Sequence, residues 1–205
     1  MQMILTGAFY PLQKWVLTIG LCLGISAAGI GASAQSGEGS ISPEQTGASL
    51  LETQLAEDQK VLLLARQVIA TARYGTLVTI DDEGQPRTRI VDPFLPDDEF
   101  VIYVATKPIT RKVKQIRGND KVSLFYFDTD GRNSVSVMGR AELIEDLDLK
   151  RQMRRDADSA KIYPDFPHDY LLIKIIPTRA EGLLPGYRGD RKTWVQVGVN
   201  FEEAR

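Results

Sequence analysis

From Tyr74 onward the chain runs in short segments where apolar and polar residues alternate, separated by clusters of Asp, Gly and Pro. A period of two sends successive side chains to opposite faces of a strand, so each segment has one face for a core and one for water. Gly75 to Ile80 is the first, and Asp81-Asp82-Glu83-Gly84 after it is a hairpin turn signal. Gln85 to Val91 follows, with Thr88 and Ile90 on one face and Arg87, Arg89 and Val91 on the other. Asp92-Pro93 and Pro96-Asp97-Asp98 break the chain before a third strand, Phe100 to Ala105. Lys121 to Phe127, Ser134 to Leu143 and Tyr170 to Ile176 complete a set of six. Gly139, inside the fifth, predicts a bend or bulge. Trp194 to Val197 is a candidate for a last strand in an otherwise weakly patterned tail.

Ahead of the strands the period changes. Leu51, Leu55, Leu62, Ala65, Ile69 and Ala72 recur at spacings of three, four and seven, which keeps one apolar face on a helix. Ser49 and Glu52 fit a capping box, so the helix is predicted from there to about Ala72. Asp146 can cap a second, charged helix from Leu147 to about Ala157. Six antiparallel strands, few helices and no internal repeat predict a mainly β fold, a small barrel with flanking helices. Its strand edges are best buried by closure or by pairing with a second subunit.

The first residues read as an export signal rather than as fold. Lys14 is the one charge before residue 38, Trp15 to Ile30 is apolar, and Ala32-Ser33-Ala34 is a small-x-small cleavage signature. The expectation is a signal peptide over residues 1–34, a Gly/Ser-rich tether over 35–48, and a domain over 49–205, periplasmic or secreted. An uncleaved anchor is the alternative, although the apolar run falls short of about 18 residues. Removing 34 residues from 205 leaves 171, one domain's worth, with a formal charge of −3. No basic excess points to nucleic acid, and no polybasic block points to a membrane surface. Cys22 leaves with the signal, which excludes disulfides, thiolate metal sites and a cysteine nucleophile. His168 is the one histidine, so a multi-histidine metal site is excluded too, and its loop beside Pro167 reads as surface.

The strongest chemistry lies in Thr106-Lys-Pro-Ile-Thr110-Arg111-Lys112-Val-Lys-Gln115-Ile116. The third strand runs into a loop that opens a short helix, ending near Gly118-Asn119. A helix start offers unpaired N–H groups and the positive end of the macrodipole. Thr110 adds a hydroxyl, Arg111 a guanidinium able to grip a phosphate with two parallel bonds, and Lys112 a compact charge. The segment reads as a seat for a phosphate monoester, against the bland alternative of a solvated helix start.

The order of motifs resembles the pyridoxamine 5′-phosphate oxidase-like family of FMN-binding split barrels. The resemblance runs through Gly75-Thr-Leu-Val-Thr-Ile-Asp, Gly84-Gln-Pro-Arg-Thr-Arg89, Ile102-Tyr-Val-Ala-Thr106, Thr110-Arg-Lys-Val-Lys-Gln-Ile, Val122-Ser-Leu-Phe, Val135-Ser-Val-Met-Gly-Arg-Ala-Glu142 and Ile176-Pro-Thr-Arg-Ala-Glu181. The loop from Tyr163 resembles the bacterial general-stress flavin-binding branch. The vitamin-making oxidase fits less well: Asp92-Pro93 stands where that enzyme carries a substrate-binding lysine, and the tail from Tyr187 has no histidine.

The resemblance implies a six-stranded split barrel and a homodimer with flavins at its interface, while the charge balance leaves no nucleic-acid partner. It places Arg89, with Thr88 and Ile90, along the flavin ring or ribityl chain. Thr106 would hydrogen-bond the flavin, and Thr110, Arg111 and Lys112 would hold the FMN phosphate. Ser134 would touch the ring from the other subunit, and Trp194 or Arg191 would close the site. The bland alternatives are a solvent-facing Arg87 and Arg89 paired to Asp81 or Asp82, and a Trp194 used in packing. The function implied is an exported FMN-dependent oxidoreductase or flavin reductase acting on a small molecule, with no catalytic side chain assigned. The alternative is a cofactor-free secreted binding or signalling protein. A deazaflavin would use the same seat, whereas haem would have His168 alone as an axial histidine.

Overall fold

The computed structural model describes residues 43–201, with side chains from residue 49. The signal-peptide expectation over residues 1–34 lies outside them, as does most of the expected tether. Helix α1 spans Pro43–Ala72. It therefore starts ahead of the predicted capping box: Ser49 is inside the helix, where its carbonyl accepts from Thr53 Oγ1 at 2.8 Å. The predicted apolar face holds only in its second half. Val61, Ala65, Val68 and Ile69 are buried, whereas Leu51 and Leu55 are exposed.

The strands are β1 (Gly75–Ile80), β2 (Pro86–Val91), β3 (Ile102–Thr106), β4 (Lys121–Asp128), β5 (Asn133–Ile144), β6 (Leu171–Leu183) and β7 (Val197–Asn200). Six lie side by side in the order β2-β1-β4-β5-β6-β3, every neighbour antiparallel. The seventh, β7, pairs with β6 off this path. The six-strand expectation is thus one short, and the last strand begins at Val197 instead of Trp194. Pro93 bridges to Val104 and the Phe94 amide donates to the Tyr103 carbonyl at 2.9 Å. This brings the chain beyond β2 against β3 and closes the sheet into a split barrel.

Local chemistry explains the other boundaries. Gly84 takes φ +78°, the left-handed conformation that suits glycine in the β1–β2 turn. Asp81 Oδ1 accepts from the Glu83 and Gln85 amides there. Phe100 also has positive φ, 66°, inside a turn capped by Asp97, so β3 starts two residues later than predicted. β6 runs on to Leu183 because Pro177 falls opposite Gly139, where the β5–β6 register shifts in a bulge. A bulge spares proline a ladder bond it cannot make.

The barrel interior and the inner face of α1 share one core, including Leu77, Ile102, Leu124, Tyr126, Val137, Ile173 and Ile175. A fully buried aliphatic side chain of this kind contributes about 1.5–3 kcal/mol. Arg66 of α1 donates to the carbonyls of Pro96, Asp97 and Asp98 and stacks on Phe100, which holds the loop before β3. A smaller cluster of Tyr163, Tyr170 and Leu172, with Phe94, Leu149 and Met153, seats the long loop before β6.

Two more helices complete the fold, α2 (Arg111–Gly118) and α3 (Leu147–Gln152). Asp146 caps α3 by accepting from the Leu149 amide at 2.7 Å. The predicted extension to Ala157 does not form. Asp158 Oδ2 takes the Arg155 amide at 3.1 Å, and that side-chain bond competes with the helical one.

Candidate functional site

Four cations, Arg89, Lys107, Arg111 and Lys112, reach one groove without meeting a carboxylate among the described residues. Arg89 stands on β2, and Arg111 and Lys112 are the first two residues of α2. The groove measures about 810 Å³, and its walls include Thr88, Arg89, Lys107, Thr110, Arg111 and Lys112. That volume suits a small-molecule site, for which about 300–1,000 Å³ is usual. Neighbouring cations are already paired: Arg87 Nε donates to Asp81 Oδ2 at 2.6 Å and Lys114 Nζ to Asp82 Oδ2 at 2.9 Å. Among the described residues, Arg111 and Lys112 have no such partner.

Arg89 is held by neutral oxygens. Its Nη1 donates to Thr79 Oγ1 at 2.6 Å and to the Leu77 carbonyl at 3.3 Å, and its Nη2 donates to Gln115 Oε1 at 2.9 Å. The buried Thr79 hydroxyl in turn donates to Gln115 Oε1 at 2.7 Å. These bonds fix the guanidinium and leave its charge uncompensated. Burial, then repulsion from Arg111, lowers its pKa from the ordinary arginine value. Burial, then repulsion from Arg89, lowers that of Lys112 as well. Positive groups depressed by burial and by each other form a site that gains from an anion.

The helix start supplies further donors. Thr110 is the N-cap residue, with extended φ −74° and ψ 149°. Its carbonyl accepts from the Val113 amide at 3.0 Å, while the Arg111 and Lys112 amides have no acceptor among the described residues. Thr110 Oγ1 donates to the Lys107 carbonyl at 3.0 Å and lies 3.3 Å from Thr106 Oγ1, so the loop is tied before any ligand arrives.

A second compartment of about 310 Å³ adjoins the groove, sharing Lys107, Thr110 and Lys112 with it. Ile90, Thr106, Ile162 and Tyr163 line it, with Asp92, Arg155 and Asp158. Arg155 Nε donates to Asp158 Oδ2 at 3.2 Å, and Nη1 lies 3.6 Å from Asp92 Oδ1. The guanidinium also stacks 4.2 Å from the Phe94 ring centroid. Tyr170 donates to Asp158 Oδ2 at 3.1 Å. Burial, then the nearby Asp158 charge, pushes the Tyr163 hydroxyl up to about 12.

The single chain gathers Thr88, Arg89, Thr110, Arg111 and Lys112 at the groove, and Ile90 and Thr106 at the adjoining compartment. It does not bring in Ser134 or Trp194. Ser134 is buried at the start of β5, and Trp194 is 74% exposed on the loop before β7, as is Arg191. His168 is exposed. Thr79, Gln115 and Lys107 belong to the site and were missed. Gln115 carried one signal: it stands four residues after Arg111, on the same helix face.

With this geometry in place, the family model for pyridoxamine 5′-phosphate oxidase matches residues 64–183, more than half of the 205-residue chain. The chain belongs to the pyridoxamine 5′-phosphate oxidase family. The pyridoxine/pyridoxamine 5′-phosphate oxidase of Shewanella frigidimarina (strain NCIMB 400) is 37% identical over 84 residues, 40% of this chain and 39% of that protein. This family member therefore matches well under half the length of that curated relative. Among solved structures, a Clostridium acetobutylicum protein related to general stress protein 26 has TM-score 0.58 at 16% identity, covering 70% of this chain and 96% of that one. A pyridoxamine 5′-phosphate oxidase-related, FMN-binding protein of Nostoc punctiforme has TM-score 0.50 at 16% identity, covering 80% and 98%. At these identities the likeness is one of fold.

Proposed function

We propose that this family member binds FMN and works as a flavin-dependent oxidoreductase or flavin reductase on a small molecule. The observation that carries the reading is the convergence of Arg89, Arg111 and Lys112, unpaired by any carboxylate, on a groove at the start of α2. These residues fit a phosphate ester, with Arg111 and Lys112 and their amides as the phosphate donors and Arg89 held ready by Thr79 and Gln115. Bound FMN supplies the hydride- and electron-transfer chemistry. The chain's part is to bind, orient and limit access, since the groove presents no histidine, cysteine or carboxylate as an acid or base. A deazaflavin phosphate would use the same donors.

The reading includes a homodimer. Ile90, 69% exposed, and Phe125, 40% exposed, both flank Thr76 in one row across β2, β1 and β4. That row borders the compartment that Ile90 lines, and a second copy covering it would bring further side chains to the site. Sedimentation at micromolar concentration should give twice the chain mass; a monomer would end this part of the proposal. Export to the periplasm or beyond rests on the Trp15–Ala34 pattern, and the N-terminal sequence of protein from the native host tests it.

The decisive test of the flavin reading is the absorption spectrum of the purified protein, with mass identification of any released chromophore. It is paired with melting in added FMN. Ligand at one hundred times its Kd should stabilise by about 2.7 kcal/mol. Colourless protein whose melting temperature ignores FMN would instead favour the cofactor-free binding protein.

A further inference from the structure

We propose that Lys112 is a modification site, whose amine takes the acyl group of an acyl phosphate captured in the groove. The proposal rests on the groove as an anion seat and stands whether or not a flavin supplies the phosphate. An acyl phosphate matches both things the groove offers. Its phosphate is a ligand for Arg89, Arg111 and the first amides of α2. Its electrophilic carbonyl carbon is one bridging oxygen away from the phosphorus. Lys112 lines the same groove, half-buried, with no carboxylate in the lining and no partner among the described residues.

The surroundings select this lysine. Crowded cations relieve their repulsion by losing a proton, and an arginine keeps its own. Lys112 is the group that yields: burial, then the Arg89 charge, lowers its pKa and raises its share of free amine. A second cation beside a lysine is one way to make its amine a nucleophile. Two residues on, Lys114 has the opposite setting. It is 77% exposed and donates to Asp82 Oδ2 at 2.9 Å, which raises its pKa. Lys121 is exposed and outside the groove. The step balances without a further reactant. The neutral Nζ bonds to the acyl carbon, the bond from that carbon to the phosphate oxygen breaks, and phosphate leaves with the electron pair. The amine's proton goes to the departing phosphate. The product is an uncharged amide, so the seat loses a cation and, with it, affinity for phosphate esters.

Acetyl phosphate is the probe, added to the full chain in mildly alkaline buffer, with peptide mass spectrometry following each lysine. Lys112 should acetylate at least tenfold faster than Lys107, Lys114 or Lys121. Its rate should saturate in acetyl phosphate, and inorganic phosphate should slow it severalfold while leaving Lys121 unchanged. Acetic anhydride, which has no phosphate to be captured, should narrow the preference severalfold. Arg111→Ala should slow Lys112 severalfold with acetyl phosphate but not with the anhydride, a contrast that a merely misfolded variant would not give. Once Lys112 is acetylated, FMN quenching should show at least tenfold weaker binding. A Lys112 rate no faster than that of Lys121, a rate that neither saturates nor responds to phosphate, or acetylation centred on Lys107 would each overturn the proposal. Unmodified chain that ignores FMN would strike the flavin reading alone, because saturation and phosphate competition test the acyl transfer without any flavin present.

Discussion

Replacing Arg111 and Lys112 together with alanine should weaken FMN strongly and riboflavin hardly at all, because only FMN carries the phosphate. The two cations do not count equally. Lys112 is half-buried against Arg89 and α2, where a charge-assisted hydrogen bond contributes about 1.5–3 kcal/mol. Arg111 is exposed, and screening reduces its share to about 0.5–1 kcal/mol. A combined loss of about 2–4 kcal/mol corresponds to roughly a 30- to 700-fold rise in Kd. Flavin fluorescence quenching measures both ligands in one format. Repeating it at about 0.05 and 0.5 M salt should shrink the FMN difference and leave riboflavin unmoved, since only the charged contact is screened. Equal losses for the two flavins, or none for either, would refute the placement of the phosphate.

Gln115→Ala removes the acceptor shared by Arg89 Nη2 and Thr79 Oγ1, so FMN should weaken about tenfold and the ligand-free protein should lose about 1–2 kcal/mol. An unchanged FMN titration would show that Arg89 needs no such support. FMN affinity should rise from pH 5 to 7 as the ester gains its second charge near pH 6. It should fall again on the alkaline side as Lys112, whose pKa is lowered, gives up its proton below 10.5. The ligand-free protein should do the opposite there. Between the folded and unfolded Lys112 values the unfolded chain binds more protons, so stability rises with pH; below both it carries the full penalty of the buried charge. Urea melts from pH 7 to 10.5, with and without FMN, separate the two trends, and parallel curves would count against Lys112 as a phosphate ligand. Gly139→Ala would drive a methyl into the Ile176 carbonyl at the β5–β6 bulge. The urea midpoint should then drop by the equivalent of about 1–3 kcal/mol, while an unaltered midpoint would mean that the bulge relaxes freely.

The alternating strands were legible because one face of each has to meet the core. Leu77, Val104, Leu124 and Val137 are each buried at alternating positions of their strands. What misled was punctuation without context. Pro177 reads as a stop after Ile176, yet the strand passes through it because the stop coincides with the bulge at Gly139. Ser49 and Glu52 read as a cap, although the helix had begun at Pro43. The cation pair at Arg111 and Lys112 was legible because a helix start has its own chemistry. The Thr79–Arg89–Gln115 cradle was not, since it joins β1, β2 and α2 and exists only once the barrel brings them together. The bland alternative, Arg87 and Arg89 paired to Asp81 or Asp82, holds for Arg87, which pairs with Asp81, and fails for Arg89 on the same strand face, which is held by neutral oxygens.

The closure of the barrel has a consequence of its own. Arg89 and Thr106 lie on β2 and β3, the two end strands of the six-strand path, and the seam nearby is stitched by the Pro93–Val104 bridge rather than by a full ladder. Such a join opens at lower free energy than the paired strands around it. A ligand gripped from both sides would act as a clasp across it, so amide exchange in β2 and β3 should slow far more on ligand binding than exchange in β5. Without a ligand spanning it, the barrel would stay unfastened along that one edge.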